Sequence, residues 1–357
     1  MIPIAQPLLG ADEYEAVLGV LKSGLMAQGA QVAAFERAFA DLCQVKEAVA
    51  VSSGTAALHL ALLAHGVGPG DEVITSPFSF AATGNTILLV GAKPVFVDIE
   101  ADTYNLDPAL VERAITPRTK AIMPVHLYGN PADMRQLVPL AQAHGLTLIE
   151  DACQAHLALV DGTPVGGFGT GCFSFYPTKN MTTGEGGIVT TNDPQIAERV
   201  RLWRSHGQSQ RYVHVALGYN LRMNDIQGAL GVVQVKKLAD FNERRIQNAA
   251  YLTKRLKDHV QTPVVRPGHR HVYHQYTIRA RGDRDQWIAQ LNARGVGTGV
   301  HYPCPIHKQP YYVEQGFDTS LPVSEAAAQQ VISLPVHPAL TQDDLDRVAQ
   351  EVIALCQ

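Results

Sequence analysis

Along the first two thirds of the chain, short apolar runs alternate with amphipathic stretches, and glycine or proline marks most of the joins. Asp12–Ser23 has helical periodicity and stops at Gly24. Gln31–Leu42 repeats the pattern, with Val32, Phe35, Phe39 and Leu42 on one face. Seven apolar runs then predict strands at Ala48–Val51, Glu72–Thr75, Pro94–Ile99, Ala121–His126, Thr147–Glu150, Cys172–Tyr176 and Gly187–Thr191. Helices are predicted between or after them at Thr55–His65, Ala81–Val90, Asp133–His144 and Pro194–Ser205. A further helix starts at Asp107, a cap followed by Pro108 at the first helical position. Apolar strands alternating with helices predict an α/β fold, a mainly parallel sheet with helices on both faces.

The pattern changes after about residue 240. Asp240–His259 reads as a long polar helix, and Tyr273–Ala280 alternates like a half-exposed antiparallel strand. Asp283–Arg294 is a capped helix stopped by Gly295, Val296–Val300 a strand, and Ser324–Val331 and Gln342–Cys356 are helices. This predicts a smaller α+β domain. The division is placed at Arg245, giving a large domain over 1–245 and a small C-terminal one over 246–357.

At 357 residues, 46% hydrophobic and 17% charged, the chain has the composition of a globular enzyme with a sizeable core. A net charge of −4 provides no general attraction to nucleic acid. No run has the length of a membrane span, and Met1–Gly10 lacks the pattern of a signal peptide. Cys43, Cys153, Cys172, Cys304 and Cys356 are scattered and never spaced as CxxC, so reduced thiols in a cytoplasmic protein are expected.

The candidate chemistry centres on Lys179. An aromatic run (Phe173, Phe175, Tyr176) leads into it, Pro177 ends regular structure, and Gly184, Gly186 and Gly187 follow. No other Lys or Arg lies between Pro164 and Arg199. A lysine set among apolar residues has its pKa lowered, and a neutral amine is a nucleophile toward an aldehyde. Two further motifs fall at strand ends, where open α/β sheets bind ligands. Ser52-Ser53-Gly54-Thr55 joins a strand to a helix; it suits a phosphate and is also an ordinary helix cap. Asp151 ends an apolar strand, and a buried carboxylate there needs a cationic partner, either an arginine or a protonated pyridine nitrogen. Ser174 offers one more phosphate donor. Amine, carboxylate and phosphate cradle together describe a site for pyridoxal 5'-phosphate.

These motifs, with Ser-Gly-Leu-Met-Ala-Gln-Gly (23–29), Pro-Val-His-Leu-Tyr-Gly (124–129), Glu-Asp-Ala-Cys-Gln-Ala-His (150–156), Phe-Ser-Phe-Tyr-Pro-Thr-Lys-Asn (173–180), Gly-Glu-Gly-Gly (184–187), Gly-Tyr-Asn-Leu-Arg-Met-Asn-Asp-Ile-Gln (218–227) and Val-His-Tyr-Pro (300–303), resemble the DegT/DnrJ/EryC1/StrS family of sugar aminotransferases over nearly the whole chain. The resemblance implies an aspartate-aminotransferase-like (fold type I) large domain. It implies that Lys179 holds the cofactor covalently and Asp151 pairs with its ring nitrogen. Gly54, Thr55 and Ser174 hold the phosphate, Phe80 stacks on the ring and Gln154 lies near the ring hydroxyl. It also implies a homodimer with shared sites: Asn220 reaches the other subunit's phosphate, while Arg222, His301 and Tyr302 face the nucleotide-sugar. The amino donor is L-glutamate and the acceptor a UDP- or dTDP-linked 3- or 4-keto sugar. The sequence departs at Cys153, where Ala is usual, and at Leu157-Ala158, where Gly-Ala is usual.

Other readings are weaker. His269, His271, His274, His301 and His307 lack a metal-binding spacing, so no metal is expected. A sensory or DNA-binding regulator would want a basic recognition helix, which the balanced charge does not provide. A pyridoxal-dependent sugar dehydratase stands against the presence of Lys179, because the dehydrating branch carries His there.

Overall fold

In the computed structural model, which describes residues 1–356, helices α1 (Ala11–Ser23) and α2 (Ala30–Cys43) precede strand β1 (Glu47–Val51). The chain continues through α3 (Gly54–Ala64), β2 (Glu72–Thr75), α4 (Ala82–Leu89), β3 (Lys93–Phe96), α5 (Pro108–Ala114), β4 (Thr119–Met123), α6 (Met134–Ala143) and β5 (Thr147–Asp151). The short β6 (Leu159–Val160) and β7 (Thr163–Pro164) come before β8 (Thr170–Ser174), β9 (Gly187–Thr191) and α7 (Pro194–Arg204). A hairpin of β10 (Gln208–Gln210) and β11 (Val213–His214) leads to α8 (Asp225–Leu256). The remainder holds β12 (His269–Arg270), β13 (Tyr276–Arg279), α9 (Arg284–Ala293), α10 (Pro310–Glu314), α11 (Pro322–Gln330), β14 (Val331–Leu334) and α12 (Gln342–Ala354).

The central sheet has seven strands in the order β1-β9-β8-β5-β4-β2-β3. Only β9 runs against its neighbours; the other strands all point the same way. Alternation along each strand builds the two covered faces. In β1, Val49 and Val51 join a core with α3 and α7, whereas Ala48 and Ala50 face α2 and α8. Cys172 and Phe173 split the same way in β8, as do Val189 and Ile188 in β9. The predicted α/β fold with a mainly parallel sheet is therefore present, with all seven predicted strands in one sheet.

The C-terminal part differs more from the sequence reading. Helix α8 starts at Asp225, fifteen residues before the expected Asp240, and runs unbroken through position 245. Asn224 caps it, its side chain accepting from the Gln227 amide while Gln227 reaches back to the Asn224 amide. Gly228 and Gly231 and the Val232-Val233 pair hid this start, since glycine and β-branched residues read as poor helix formers. Packing explains the glycines. A Cβ on Gly228 would stand 2.6 Å from the Val32 nitrogen, and one on Gly231 2.7 Å from the Phe35 ring. The Asp225 carboxylate accepts the amides of Gly29, Gln31 and Val32 at 2.8, 3.2 and 3.0 Å, tying the start of α8 to the start of α2. Such charge-assisted bonds at a helix N-terminus stabilise by about 1.5–3 kcal/mol each.

The C-terminal half of α8 enters a second core with Trp287, Leu291, Val348 and Val352. That core includes Ile2 from the N-terminus, so the chain's two ends close on one another. Its sheet is the antiparallel pair β13–β14. Strand β14 was assigned from sequence to the end of a helix and the residues after it. Val331–Leu334 has only four residues, apolar except for Ser333, too few to distinguish a strand from a buried helix end. Val296–Val300 forms only isolated bridges, Val296 to Ile2 and Gly299 to Ser333, in place of the expected strand.

Candidate active site

The carboxyl ends of β1, β5 and β8 converge with the amino end of β9. Val51 pairs with Gly187 and Gly187 with Ser174, so one row of the sheet carries the phosphate-cradle edge. Asp151 stands opposite Cys172 in the β5–β8 pair. Because β9 is antiparallel, the chain must turn back directly after β8, and the turn at 175–186 carries Lys179. This turn is fixed by its own backbone: the Phe175 amide donates to Gly186, the Thr183 amide to Phe175 and the Lys179 amide to Tyr176.

The cradle leaves no room for side chains. A Cβ on Gly54 would stand 2.7 Å from the Ser174 Cβ and 2.9 Å from the Cys153 sulfur. A Cβ on Gly187 would be 2.2 Å from the Ser53 carbonyl oxygen. Ser53 caps α3 by accepting the Ala56 amide at 3.1 Å. Gly54 and Thr55 open the helix, where amides have no acceptor within it. Helix start, exposed Thr55 and half-buried Ser174 therefore offer groups suited to an anion at the sheet end.

Asp151 is 4% exposed. Its carboxylate accepts the Thr83 hydroxyl at 2.7 Å and the Cys153 amide at 3.3 Å, and Thr83 is within 2.9 Å of Ser79. Among the described residues no arginine, lysine or histidine forms an ion pair with it. The arginine alternative is absent, and a buried carboxylate held only by neutral donors fits a ligand cation. The sequence reading missed Thr83, whose position in α4 carried no signal beyond a hydroxyl one turn after Ser79.

Burial holds the Lys179 amine below the ordinary lysine range, although Asp151 and Cys153 favour its charged form. The histidines around it are neutral. Burial lowers His156 to about 3 and His301 to about 4, the Lys179 charge adding to both shifts, and drives His274 well down. His271 is held at about 3 by burial. His156 has both ring nitrogens buried without a partner, its ring lying against Phe173 and Phe175.

The other expected residues differ in exposure and in their partners. Phe80 is 61% exposed, and its ring centroid lies 6.2 Å from that of Tyr302. Gln154 is committed at both ends: its oxygen accepts the Tyr128 amide at 2.8 Å and its nitrogen donates to the Tyr302 hydroxyl at 3.0 Å. Burial pushes the Tyr302 phenol up, so it stays protonated. His301 precedes Tyr302, with Nδ1 2.9 Å from the Ser333 hydroxyl. Asn220 is exposed and Arg222 half-buried. Their backbone is anchored, the Ser52 amide donating to Leu221 at 2.8 Å and Arg222 bridging Val51. Among the described residues neither side chain has a hydrogen-bond partner.

A lysine whose pKa burial lowers, a strand-end carboxylate without a cation and a close-packed helix start meet at one sheet end, and comparison with known proteins makes the chain a sugar aminotransferase. The model of the DegT/DnrJ/EryC1/StrS aminotransferase family matches residues 7–353, and the chain belongs to that family. The chain is 43% identical to the UDP-N-acetyl-3-dehydro-alpha-D-glucosamine 3-aminotransferase of Acidithiobacillus ferrooxidans, over 95% of this chain and 92% of that one. It is 44% identical to a pleiotropic regulatory protein of Geobacillus stearothermophilus, over 93% and 91%. The crystal structure of DesV from S. venezuelae superposes with a TM-score of 0.95 at 42% identity, covering 97% of this chain and 95% of that one. The family is pyridoxal-phosphate-dependent, and the site residues described above fit that cofactor. No helix among the described residues is long and apolar enough to cross a membrane.

The neutral histidines make the fold acid-sensitive. Their folded pKa values lie below the unfolded value near 6.5, so the unfolded chain binds more protons below that pH. Stability is full above about pH 6.5 and falls as the pH drops toward 4 and then 3. The urea midpoint measured from pH 7.5 to 4 is expected to drop steadily below 6.5; a flat profile would mean that these imidazoles are not buried neutral.

Proposed function

We propose that this protein transfers an amino group from L-glutamate to a nucleotide-linked keto sugar, using pyridoxal 5'-phosphate in a site shared between two copies of the chain. The acceptor class is a UDP- or dTDP-linked 3- or 4-keto sugar. The observation that carries the reading is Lys179, its pKa lowered by burial, on the turn beside a 4%-exposed Asp151 that has no cationic partner. The cofactor supplies an aldehyde for amines and a ring that draws electrons from the carbon being deprotonated. Asp151 holds a proton on the ring nitrogen. Gly54, Thr55 and Ser174 would hold the phosphate, and Phe80 would supply an aromatic contact to the cofactor. Lys179 Nζ, in its deprotonated form, takes a proton from the donor carbon and returns it. Gln154 orients Tyr302, and His301, Tyr302 and Arg222 line the sugar-nucleotide side.

A dehydrating reaction is disfavoured because Lys179 is present and can return the proton that transamination requires. The direct test incubates the protein and cofactor with 15N-glutamate and a panel of nucleotide-linked keto sugars. The expected product is an amino sugar carrying 15N, with 2-oxoglutarate released. Loss of a hydroxyl without nitrogen gain would replace transfer by dehydration, and no change with any sugar would favour a non-catalytic role.

Asp151→Asn keeps the fold but removes the charge that keeps the ring nitrogen protonated. Its glutamate half-reaction, followed by stopped-flow absorbance, is expected to slow a few thousandfold, about 5 kcal/mol. A near-native rate would remove Asp151 from this role.

The shared site rests on the exposed amide of Asn220 and the partnerless guanidinium of Arg222, both suited to phosphate. In a two-fold dimer each loop serves the other site. Lys179→Ala and the double variant Asn220→Ala/Arg222→Ala are each expected to be inactive. Mixed under subunit exchange, they should regain activity, because one site then combines Lys179 with an intact neighbouring loop. Mixed dimers that form and stay inactive would place the loop's action within its own chain.

A further inference from the structure

Two hydroxyls in series reach the Asp151 carboxylate from the start of α4. Thr83 and Ser79 are both buried, at 1% and 4% exposed. A threonine in a helix commonly bonds back to its own backbone. Thr83 instead spends its hydroxyl on Asp151 Oδ2 at 2.7 Å, 68 residues away in the chain. Its amide closes a turn onto the Phe80 carbonyl at 3.1 Å, so the aromatic expected at the cofactor and the hydroxyl on the carboxylate share one turn. The C-terminal part of the chain pins that turn from behind. The Tyr312 hydroxyl donates to Asn85 Oδ1 at 2.7 Å, and the Ile306 amide donates to the Pro77 carbonyl at 2.8 Å. A Cβ on Gly84 would stand 2.6 Å from the Tyr312 oxygen, so α4 has no slack there.

The acceptor at the end of the series fixes its direction. An ionised carboxylate only accepts, and a threonine hydroxyl has one proton to give. Thr83 therefore donates to Asp151. The Ser79–Thr83 contact at 2.9 Å is left to the Ser79 proton, so the donors run from Ser79 to Thr83 to Asp151. The two carboxylate oxygens end up unequal. Oδ2 holds the short hydroxyl bond, whereas Oδ1 has only the Cys153 amide at 3.3 Å. Oδ1 is thus the oxygen with capacity left for a cation.

We propose that Thr83, backed by Ser79, is the positioning residue that leaves Asp151 Oδ1 for the cofactor's ring nitrogen and keeps the shared proton on that nitrogen. A hydroxyl donating to a carboxylate favours its charged form. Without that donor, a carboxylate buried against a protonated ring nitrogen would draw the proton to itself, and both groups would become neutral. The ring would then lose the charge with which it draws electrons. Thr83 touches neither substrate nor cofactor in this arrangement; it acts through Asp151. The inference rests on the proposed reading in which Asp151 pairs with the ring nitrogen, and adds what holds the carboxylate to that task.

The test loads the full-length protein with pyridoxal 5'-phosphate labelled with 15N in the ring and reads that nitrogen by NMR near neutral pH. The native protein is expected to show a protonated nitrogen. Thr83→Val, which keeps the shape and removes the hydroxyl, should move the signal toward that of an unprotonated ring and slow the glutamate half-reaction about tenfold, the loss expected for one hydrogen bond to a charged group. Thr83→Ser, which restores the hydroxyl, should return both readouts to near native. Ser79→Ala should shift both in the same direction as Thr83→Val by a smaller factor. A native nitrogen signal in Thr83→Val, with a displaced one in Asp151→Asn, overturns the role of Thr83 and leaves that of Asp151 standing. A native signal in Asp151→Asn as well removes the reading on which the inference rests. Equal shifts in Thr83→Val and Thr83→Ser would mean that the hydroxyl is not the cause. If Thr83→Val does not take up cofactor, Ser79→Ala decides: a displaced signal supports the series of donors, and a native one overturns it.

Discussion

A carboxylate buried at the end of a central strand is the constraint on which this site depends. Asp151 receives one hydroxyl and one amide, enough to orient it but not to offset the loss of water around a charge. A cation has to complete it. The nearby Lys179 does not fill that place: no ion pair joins the two, and burial keeps the amine below its ordinary pKa despite the attraction of Asp151. The two groups are therefore held apart, one a buried carboxylate without a cationic partner and the other an amine whose pKa burial lowers.

The sheet arranges this separation. Parallel strands bring Asp151 and Ser174 to one edge, and the single reversed strand β9 forces the chain to fold back there, so Lys179 arrives on a short internally bonded turn. Close approach at Gly54 and Gly187 then brings the start of α3 against Ser174 and Cys153. Any side chain at either glycine would push the anion cradle away from the lysine.

Neutral imidazoles surround the lysine because a low-dielectric pocket beside an amine disfavours a second cation. Arg245 shows the same pressure: buried in mid-helix, lowered to about 10, and bonded at one end to the Tyr273 carbonyl at 3.2 Å. Burial thus keeps these imidazoles uncharged even where, as at His156, neither ring nitrogen has a partner in the chain.

The order of strands and helices, the strand-end placement of Asp151 and Lys179 and the glycine cradle were legible in the sequence, because each rests on local periodicity or on residue types with narrow conformational uses. Helix α8 was half legible: its polar C-terminal half has helical spacing, but Gly228 and Gly231 make sense only against the backbone and ring of α2. Thr83 and Ser333 gave no sequence signal, and Tyr128 was legible only as part of the 124–129 motif, since a hydroxyl acquires a role only from the partner it meets. Those partners lie up to 173 residues away in the chain. The sequence by itself determined which chemical groups the site contains and which strands carry them. Tertiary structure alone decided which of those groups are buried and which partners they meet, because both depend on contacts between distant segments.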